Sequence, residues 1–215
     1  LASLILVFRK KIGSLIASFF RFVFFKKKET DKGNLNLIAI ILIATVVTGI
    51  VGIALKDIVK HLKVTALPIG FLFTSLLLLV SSKMKLKQKP NILRIAAILG
   101  IFQGIAVFPG ISRSGTTISI LLMLGFLQEE VGEISFILSI PAILASLLLE
   151  LISSYKEIQN IGLVPILLGM VSAFVVGVLF LSLLLRVIKS GKIKGFAYYL
   201  LPLSLGLSIY FYFFA

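Results

Sequence analysis

The chain contains no cysteine and no tryptophan, a single histidine, and only 8 acidic residues against 22 basic ones in a length of 215. Without cysteine, disulfide scaffolds, thiolate metal sites, thiol nucleophiles and dithiol redox chemistry are excluded. Charge of either sign is scarce. Asp, Glu, Lys and Arg make up 14% of the chain, where soluble domains carry about 25%. Hydrophobic residues make up 59%, and the mean hydropathy is +1.15. A soluble enzyme and a disordered tail are therefore excluded as well. What remains is an all-α polytopic membrane protein, because several apolar stretches approach the ~20 residues a helix needs to cross a bilayer. The net charge of +14 is that of many nucleic-acid binders. In a chain this apolar, however, basic residues in short loops mark the cytoplasmic face of a membrane protein. No nucleic-acid partner is expected; a multi-pass protein of the cell membrane, surrounded by membrane lipids, is.

Residues 1–215 read as a single membrane domain. Leu1 to Phe8 is an apolar run ending at Arg9-Lys10-Lys11, with no initiator methionine before it. Eight helical residues cover only ~12 Å, and a signal peptide carries its charge before the apolar run, not after it. The expectation is a chain that begins inside a membrane helix, truncated at its N-terminus. Ile12 to Phe25 reads as an amphipathic interfacial helix, followed by a polar loop from Glu29 to Asn34. Leu35 to Leu55 is a clean span with a small, weakly polar face of Thr45, Thr48, Gly49 and Gly52. Lys56 to Lys63 reads as a polar connection, Ala66 to Val80 as a shorter span, and Ser81 to Arg94 as a lysine-rich loop. Beyond residue 127, Gln128 to Glu133 reads as an acidic loop, Ile134 to Ile152 as a span containing Pro141, and Ser153 to Gly162 as a polar loop. Leu163 to Leu185 is a span with a Gly169, Ala173, Gly177 stripe suited to close helix contact. Arg186 to Gly195 is basic, and Phe196 to Ala215 is the last span, with tyrosines suited to the membrane interfaces.

Ile95 to Leu127 differs from these spans. Phe108-Pro109-Gly110-Ile111-Ser112 divides it into apolar arms, Ile95–Phe108 and Ser114–Leu127, each too short for a full crossing. Pro-Gly is a strong helix stop, and Ser112 or Ser114 can cap the helix that follows. The pattern predicts a re-entrant helix–loop–helix that enters the membrane and returns on the same side. Charge counting agrees. With a re-entrant pair, loops 9–34, 83–94, 128–133 and 186–195 share one side and hold 17 of the 22 basic residues, against 4 on the other. A single crossing spoils this asymmetry.

Arg113 lies deep in this apolar segment. A charge there costs at least ~2.5–3.5 kcal/mol on insertion scales, which makes it a functional candidate by default. Gly110, Ser112, Ser114, Gly115, Thr116 and Thr117 surround it at an expected helix N-terminus. Free N–H groups, the helix dipole and a guanidinium fork together suit a phosphate. At membrane depth, that phosphate belongs to a lipid. A purely structural turn is the alternative, with serines capping and Arg113 paired to a carboxylate. Glu129, Glu130 and Glu133 lie too far along the chain to be that partner and read as loop or helix-start residues. Gln103 on the first arm either hydrogen-bonds into the loop or is a helix-packing amide. His61, in a polar loop, reads as solvated.

Gly100-x-x-Gln103-Gly104 followed by Pro109-Gly110-Ile111-Ser112-Arg113-Ser114-Gly115-x-Thr117 resembles the second signature of the undecaprenyl-diphosphate phosphatases of the bacitracin-resistance type. Ser135-Phe136-Ile137-Leu138-Ser139-Ile140-Pro141 and Phe196-Ala197-x-Tyr199 resemble later helices of that family, and Phe8-Arg9-Lys10 the end of an early one. The resemblance implies two re-entrant hairpins related by inverted repeats. It also implies hydrolysis of a polyprenyl diphosphate to the monophosphate, which recycles the lipid carrier of cell-wall synthesis and confers bacitracin resistance. A divalent cation, Mg or Ca, would assist. Ser112, Arg113 and Thr117 would be the catalytic set, with Gly110, Ser114, Gly115, Thr116 and Gln103 binding substrate; a homodimer is left open. The family's first signature, a Gln/Glu-rich helix followed by Ser-Ser-Ser-Gly-His, is absent from this sequence. That half carries the nucleophile, base and metal ligands, so this chain alone is expected to be inactive. A polyprenyl-phosphate transporter or flippase is the competing reading, since the same nest can hold a phosphate in transit. The other lipid-phosphatase superfamily is discounted because no histidine follows Arg113.

Overall fold

The computed structural model describes residues 1–24, 31–83, 90–154 and 162–214. They form α1 (Ala2–Val7), α2 (Arg9–Phe24), α3 (Lys32–His61), a 3₁₀ turn (Val64–Ala66), α4 (Leu67–Ser81), α5 (Ile92–Ile105), α6 (Arg113–Met123), α7 (Gln128–Ser153), α8 (Leu163–Lys189) and α9 (Lys194–Phe214). The described residues include no strand. Five segments are long and apolar enough to cross a membrane: α3, the 3₁₀ turn with α4, α7, α8 and α9. The chain is an all-α, multi-pass membrane protein.

Several boundaries differ from the sequence reading, and in one direction. The polar connection 56–63 is helical up to His61, which ends α3 exposed. The acidic loop 128–133 is the start of α7, with Glu129 and Glu130 in its first turn, where carboxylates favour the helix dipole. The basic segment 186–195 is helical except at 190–193. Charged residues mark where a helix leaves the apolar layer, not where it ends. The lysine-rich stretch 84–89 and most of the polar loop 153–162 lie outside the described residues.

The small-residue faces are used only in part. A Cβ on Gly49, Gly52 or Gly169 would meet nothing within 4 Å, whereas one on Gly177 would come within 2.6 Å of Ser3 Oγ on α1.

α5 and α6 are the two arms of a hairpin. They span 14 and 11 residues, about 21 and 17 Å, both short of the ~30 Å hydrocarbon layer. Asn91 caps α5 by accepting from Arg94 N–H at 2.9 Å. α6 ends at Gly125, whose φ of +84° permits paired bonds from Gly125 N–H to Leu122 O and from Phe126 N–H to Leu121 O, a Schellman stop. Both ends of the hairpin reach the same end of the bundle. Lys11, Asn34, Pro90, Ile92, Phe126 and Glu133 line one cavity of about 570 Å³ there. Lys11 and Glu133 pair at 3.7 Å, and Gln128 Nε2 donates to Ile188 O at 3.0 Å. The described parts of the loops grouped together by charge counting thus lie together.

The interfacial helix α2 is clamped to the head of α3. Asp31 accepts from Ser18 Oγ at 2.9 Å and from Arg21 Nε and Nη2 at 3.0 and 2.6 Å, while Asn34 Nδ2 donates to Ser18 Oγ at 2.9 Å. Donating to the Asp31 carboxylate raises the Arg21 pKa above its ordinary value. This clamp was invisible as a motif; it crosses a loop.

Candidate functional site: the hairpin tip

The tip of the hairpin sits on the first turn of α4, backbone against backbone. A Cβ on Gly70 would lie 2.2 Å from Pro109 O and 2.7 Å from Ile111 N. A Cβ on Gly110 would lie 2.3 Å from Leu67 O, and Gly110 holds φ at +84°, a conformation glycine adopts without penalty. Gly110 is therefore a seating residue. α4 is in turn fixed to α9, where Ser75 Oγ donates to Ala197 O at 3.1 Å and Ser204 Oγ donates to Pro68 O at 2.7 Å.

From this seat α6 begins. Ser112 is its N-cap, and its Oγ accepts from Gly115 N–H at 3.2 Å. Ser112 N–H donates to Thr74 Oγ1 at 2.9 Å, and Thr116 N–H donates to Ser112 O at 2.8 Å. The Arg113 and Ser114 N–H groups are left as the unclaimed donors of the first turn among the described residues. Thr117 is committed to the protein. Its hydroxyl contacts Arg113 O and Ser114 O and shares a hydrogen bond with Ser135 Oγ on α7.

Arg113 forms no ion pair among the described residues, and its Nη2 is buried without a partner. The carboxylate partner that a structural turn requires is not among the residues described. A buried, unpaired guanidinium is costly unless something fills its place. Three further buried atoms lack partners: Gln103 Oε1, Thr116 Oγ1 and Ser119 Oγ. Gln103 does pack as a helix-contact amide, with Nε2 donating to Thr48 Oγ1 at 3.1 Å, yet its carbonyl oxygen remains open.

The motif is divided between faces of α6, because successive helical residues turn by about 100°. Ser112, Ser114 and Gly115 line a pocket of about 200 Å³ with Thr74 and the apolar side chains Leu184, Ile188, Phe196 and Leu200 of α8 and α9. Arg113, Thr116 and Thr117 lie outside that lining. The pocket therefore joins hydroxyls to an apolar wall. Sequence reasoning missed Thr74, and it placed Thr48 on a packing face and Ser135 in a family-like stretch without bringing either to the site. All three are hydroxyls inside otherwise apolar runs, a signal that points to packing partners without saying which.

The implied divalent cation finds no ligand set here. Guanidinium, N–H and hydroxyl donors suit an anion, and no group of three His, Cys, Asp or Glu side chains among the described residues can hold a metal ion. No step is assigned to a metal.

Residues 1–206 match the family described as bacitracin resistance protein BacA. A Treponema denticola protein named undecaprenyl-diphosphatase is 50% identical over 217 residues, covering 100% of this chain and 81% of its own length. Proteins of the same name from Korarchaeum cryptofilum and Borrelia recurrentis are 39% and 36% identical, covering 93% and 91% of this chain and 76% and 75% of their own lengths. The hairpin, its half-buried arginine and this likeness along the whole sequence lead to one conclusion: the chain belongs to the BacA bacitracin resistance family.

Proposed function

We propose that this protein is an undecaprenyl-diphosphate phosphatase of the cell membrane, hydrolysing the lipid diphosphate to the monophosphate, and that the tip of the α5–α6 hairpin grips the phosphate. The observation that carries this reading is the buried Arg113 Nη2 without a protein partner at the N-terminus of α6, next to two unclaimed N–H groups. Phosphoryl transfer is largely positioning plus charge stabilisation, and these groups supply both. The guanidinium fork and the helix dipole offset the charge of the bound phosphate. Ser114 and Gly115 present the same turn to a pocket with an apolar wall, which suits the first part of a lipid chain. Thr117 supports the turn rather than touching the phosphate, because its hydroxyl is committed to Arg113 O and Ser135; Ser112 Oγ accepts from Gly115 N–H and keeps its own proton to donate. Neither a carboxylate nor an imidazole base accompanies Arg113 among the described residues. These residues bind and polarise; they do not activate the attacking group.

The wider reading follows from charge. The end of the bundle holding Lys11, Asn34, Pro90 and Glu133 faces the cytoplasm, because the basic loops cluster there, and anionic lipid headgroups, not nucleic acid, are the partners of the +14 charge. Release of inorganic phosphate from undecaprenyl diphosphate by the purified protein tests the activity. A protein that moves the lipid across vesicles without releasing phosphate is a transporter, and the hydrolase reading fails.

A further inference from the structure

Among the serines of α7, one hydroxyl leaves its own helix. Ser139, Ser146 and Ser153 donate to the carbonyl oxygens of Phe136, Ala142 and Glu150, three or four residues back, a common arrangement for a helical serine. Ser135 makes no such bond among the described residues. Its hydroxyl meets Thr117 Oγ1 on α6 instead, and both side chains are buried, at 2% and 1% exposure.

The proton inventory gives this pair a direction. A hydroxyl has one proton to donate and two lone pairs with which to accept. Thr117 Oγ1 lies 3.0 Å from Arg113 O and 3.3 Å from Ser114 O, and a carbonyl oxygen can only accept. The Thr117 proton therefore goes to Arg113 O, and the proton between the two hydroxyls comes from Ser135. The hydrogen bonds run from α7 through Thr117 to the backbone of Arg113.

Position on the helix gives the pair a function. Thr117 is one turn beyond Arg113 and about 40° from it around the α6 axis, whereas Gly115 stands about 200° from Thr117. At Gly115 the helix meets α4, where a Cβ would lie 3.0 Å from Thr74 Cγ2. Thr74 Oγ1 also accepts from Ser112 N–H at 2.9 Å and donates to Gly70 O at 3.0 Å. The first turn of α6 is thus held from two sides, by Thr74 and by Ser135. Either contact alone would leave the helix free to turn about the other, and a small turn becomes a large displacement at the end of an arginine side chain.

We propose that Ser135 is a positioning residue for Arg113: its hydroxyl, bonded to Thr117, fixes the rotation of α6 and so the direction of the guanidinium. The consequence for the rate rests on the phosphatase reading above; the hold on Arg113 does not.

Phosphate release by the complete protein and the Arg113 side-chain N–H signal, followed by NMR on arginine-labelled protein without substrate, test this together. Ser135→Ala should lower kcat/KM about three- to tenfold, the factor for one hydrogen bond. It should also shift the Arg113 signal and speed its exchange, while the signals of Arg94 and Arg186 stay in place. Ser139→Ala, which removes a bond inside α7, should change neither rate nor signal. In a Thr117→Val background, Ser135→Ala should cause no further loss. A serine that only packs would lower Tm and leave the Arg113 signal where it is, and that result overturns the proposal. So does an equal, additive loss in the Thr117→Val background, or an equal shift in Ser139→Ala. If the wild type releases no phosphate, the phosphatase reading fails, and the Arg113 signal still decides the role of Ser135.

Discussion

The seat of the hairpin on α4 can be tested with one methyl group. In Gly70→Ala the added Cβ would lie 2.2 Å from Pro109 O, 2.6 Å from the Gly110 carbonyl carbon and 2.7 Å from Ile111 N. All three are backbone atoms, so no side chain can rotate away. Ordinary contact needs about 3.4 Å or more, and the tip must retreat by about 1 Å. Overpacking of this kind costs about 1–3 kcal/mol, against a return of up to ~1 kcal/mol from replacing glycine within a helix. Stability should therefore fall only modestly. Activity should fall far more, because a displacement of ~1 Å at groups that hold a reacting phosphate costs on the order of a hundredfold. Gly169→Ala and Gly206→Ala are matched controls in α8 and α9, since a Cβ at either would meet nothing within 4 Å. Both should leave rate unchanged and Tm equal or slightly higher. The assay is phosphate release from undecaprenyl diphosphate alongside thermal unfolding in detergent. Wild-type rate and Tm in Gly70→Ala would show that the tip does not rest where the structure puts it.

Other substitutions probe the remaining parts. Arg113→Ala should abolish phosphate release while Tm and membrane insertion are kept, because no ion pair is broken and a buried charge is removed; a well-folded, fully active Arg113→Lys would sink the phosphate-clamp reading, since lysine keeps the charge but not the fork. Asp31→Ala should free α2 from α3, seen as faster backbone hydrogen exchange in α2 and a loss of about 1–3 kcal/mol, with little change in kcat because the clamp lies away from the tip; unchanged exchange refutes the clamp. In intact cells an impermeant reagent should label a single cysteine at Ser153 and not one at Gln128, which should react only after lysis; labelling of both in intact cells would overturn the placement of α7 as a span.

The hairpin was legible because its signals are local. Pro109-Gly110 stops a helix, Ser112 caps the next, and an apolar run too short to cross on either side leaves little else to build. Arg113 stood out for the same reason, as a charge whose surroundings are visible within ten residues. The contacts that aim these groups were not legible. Gly70 with Gly110, Thr117 with Ser135 and Gln103 with Thr48 are distant in sequence and depend on how the helices rotate against one another. The Gly169, Ala173, Gly177 stripe shows the converse. Its spacing promised a continuous helix contact, yet of its two glycines only Gly177 has a side chain within 4 Å of where a Cβ would stand. The division of the motif across two faces of α6 was also hidden, since a string of adjacent letters reads as one nest until the helical turn separates them.

The two sides of the tip are built from different materials. On the α4 side, main chain rests on main chain at Gly70 and Gly110, with one side-chain hydrogen bond from Ser112 N–H to Thr74 Oγ1, and the seat tolerates no enlargement. The pocket beside the turn is instead closed by side chains, Leu184, Ile188, Phe196 and Leu200. Such a construction separates two properties that evolution would otherwise have to trade. If the tip grips a phosphate as proposed, the backbone fixes the geometry it presents, while the shape offered to a lipid is set by apolar side chains.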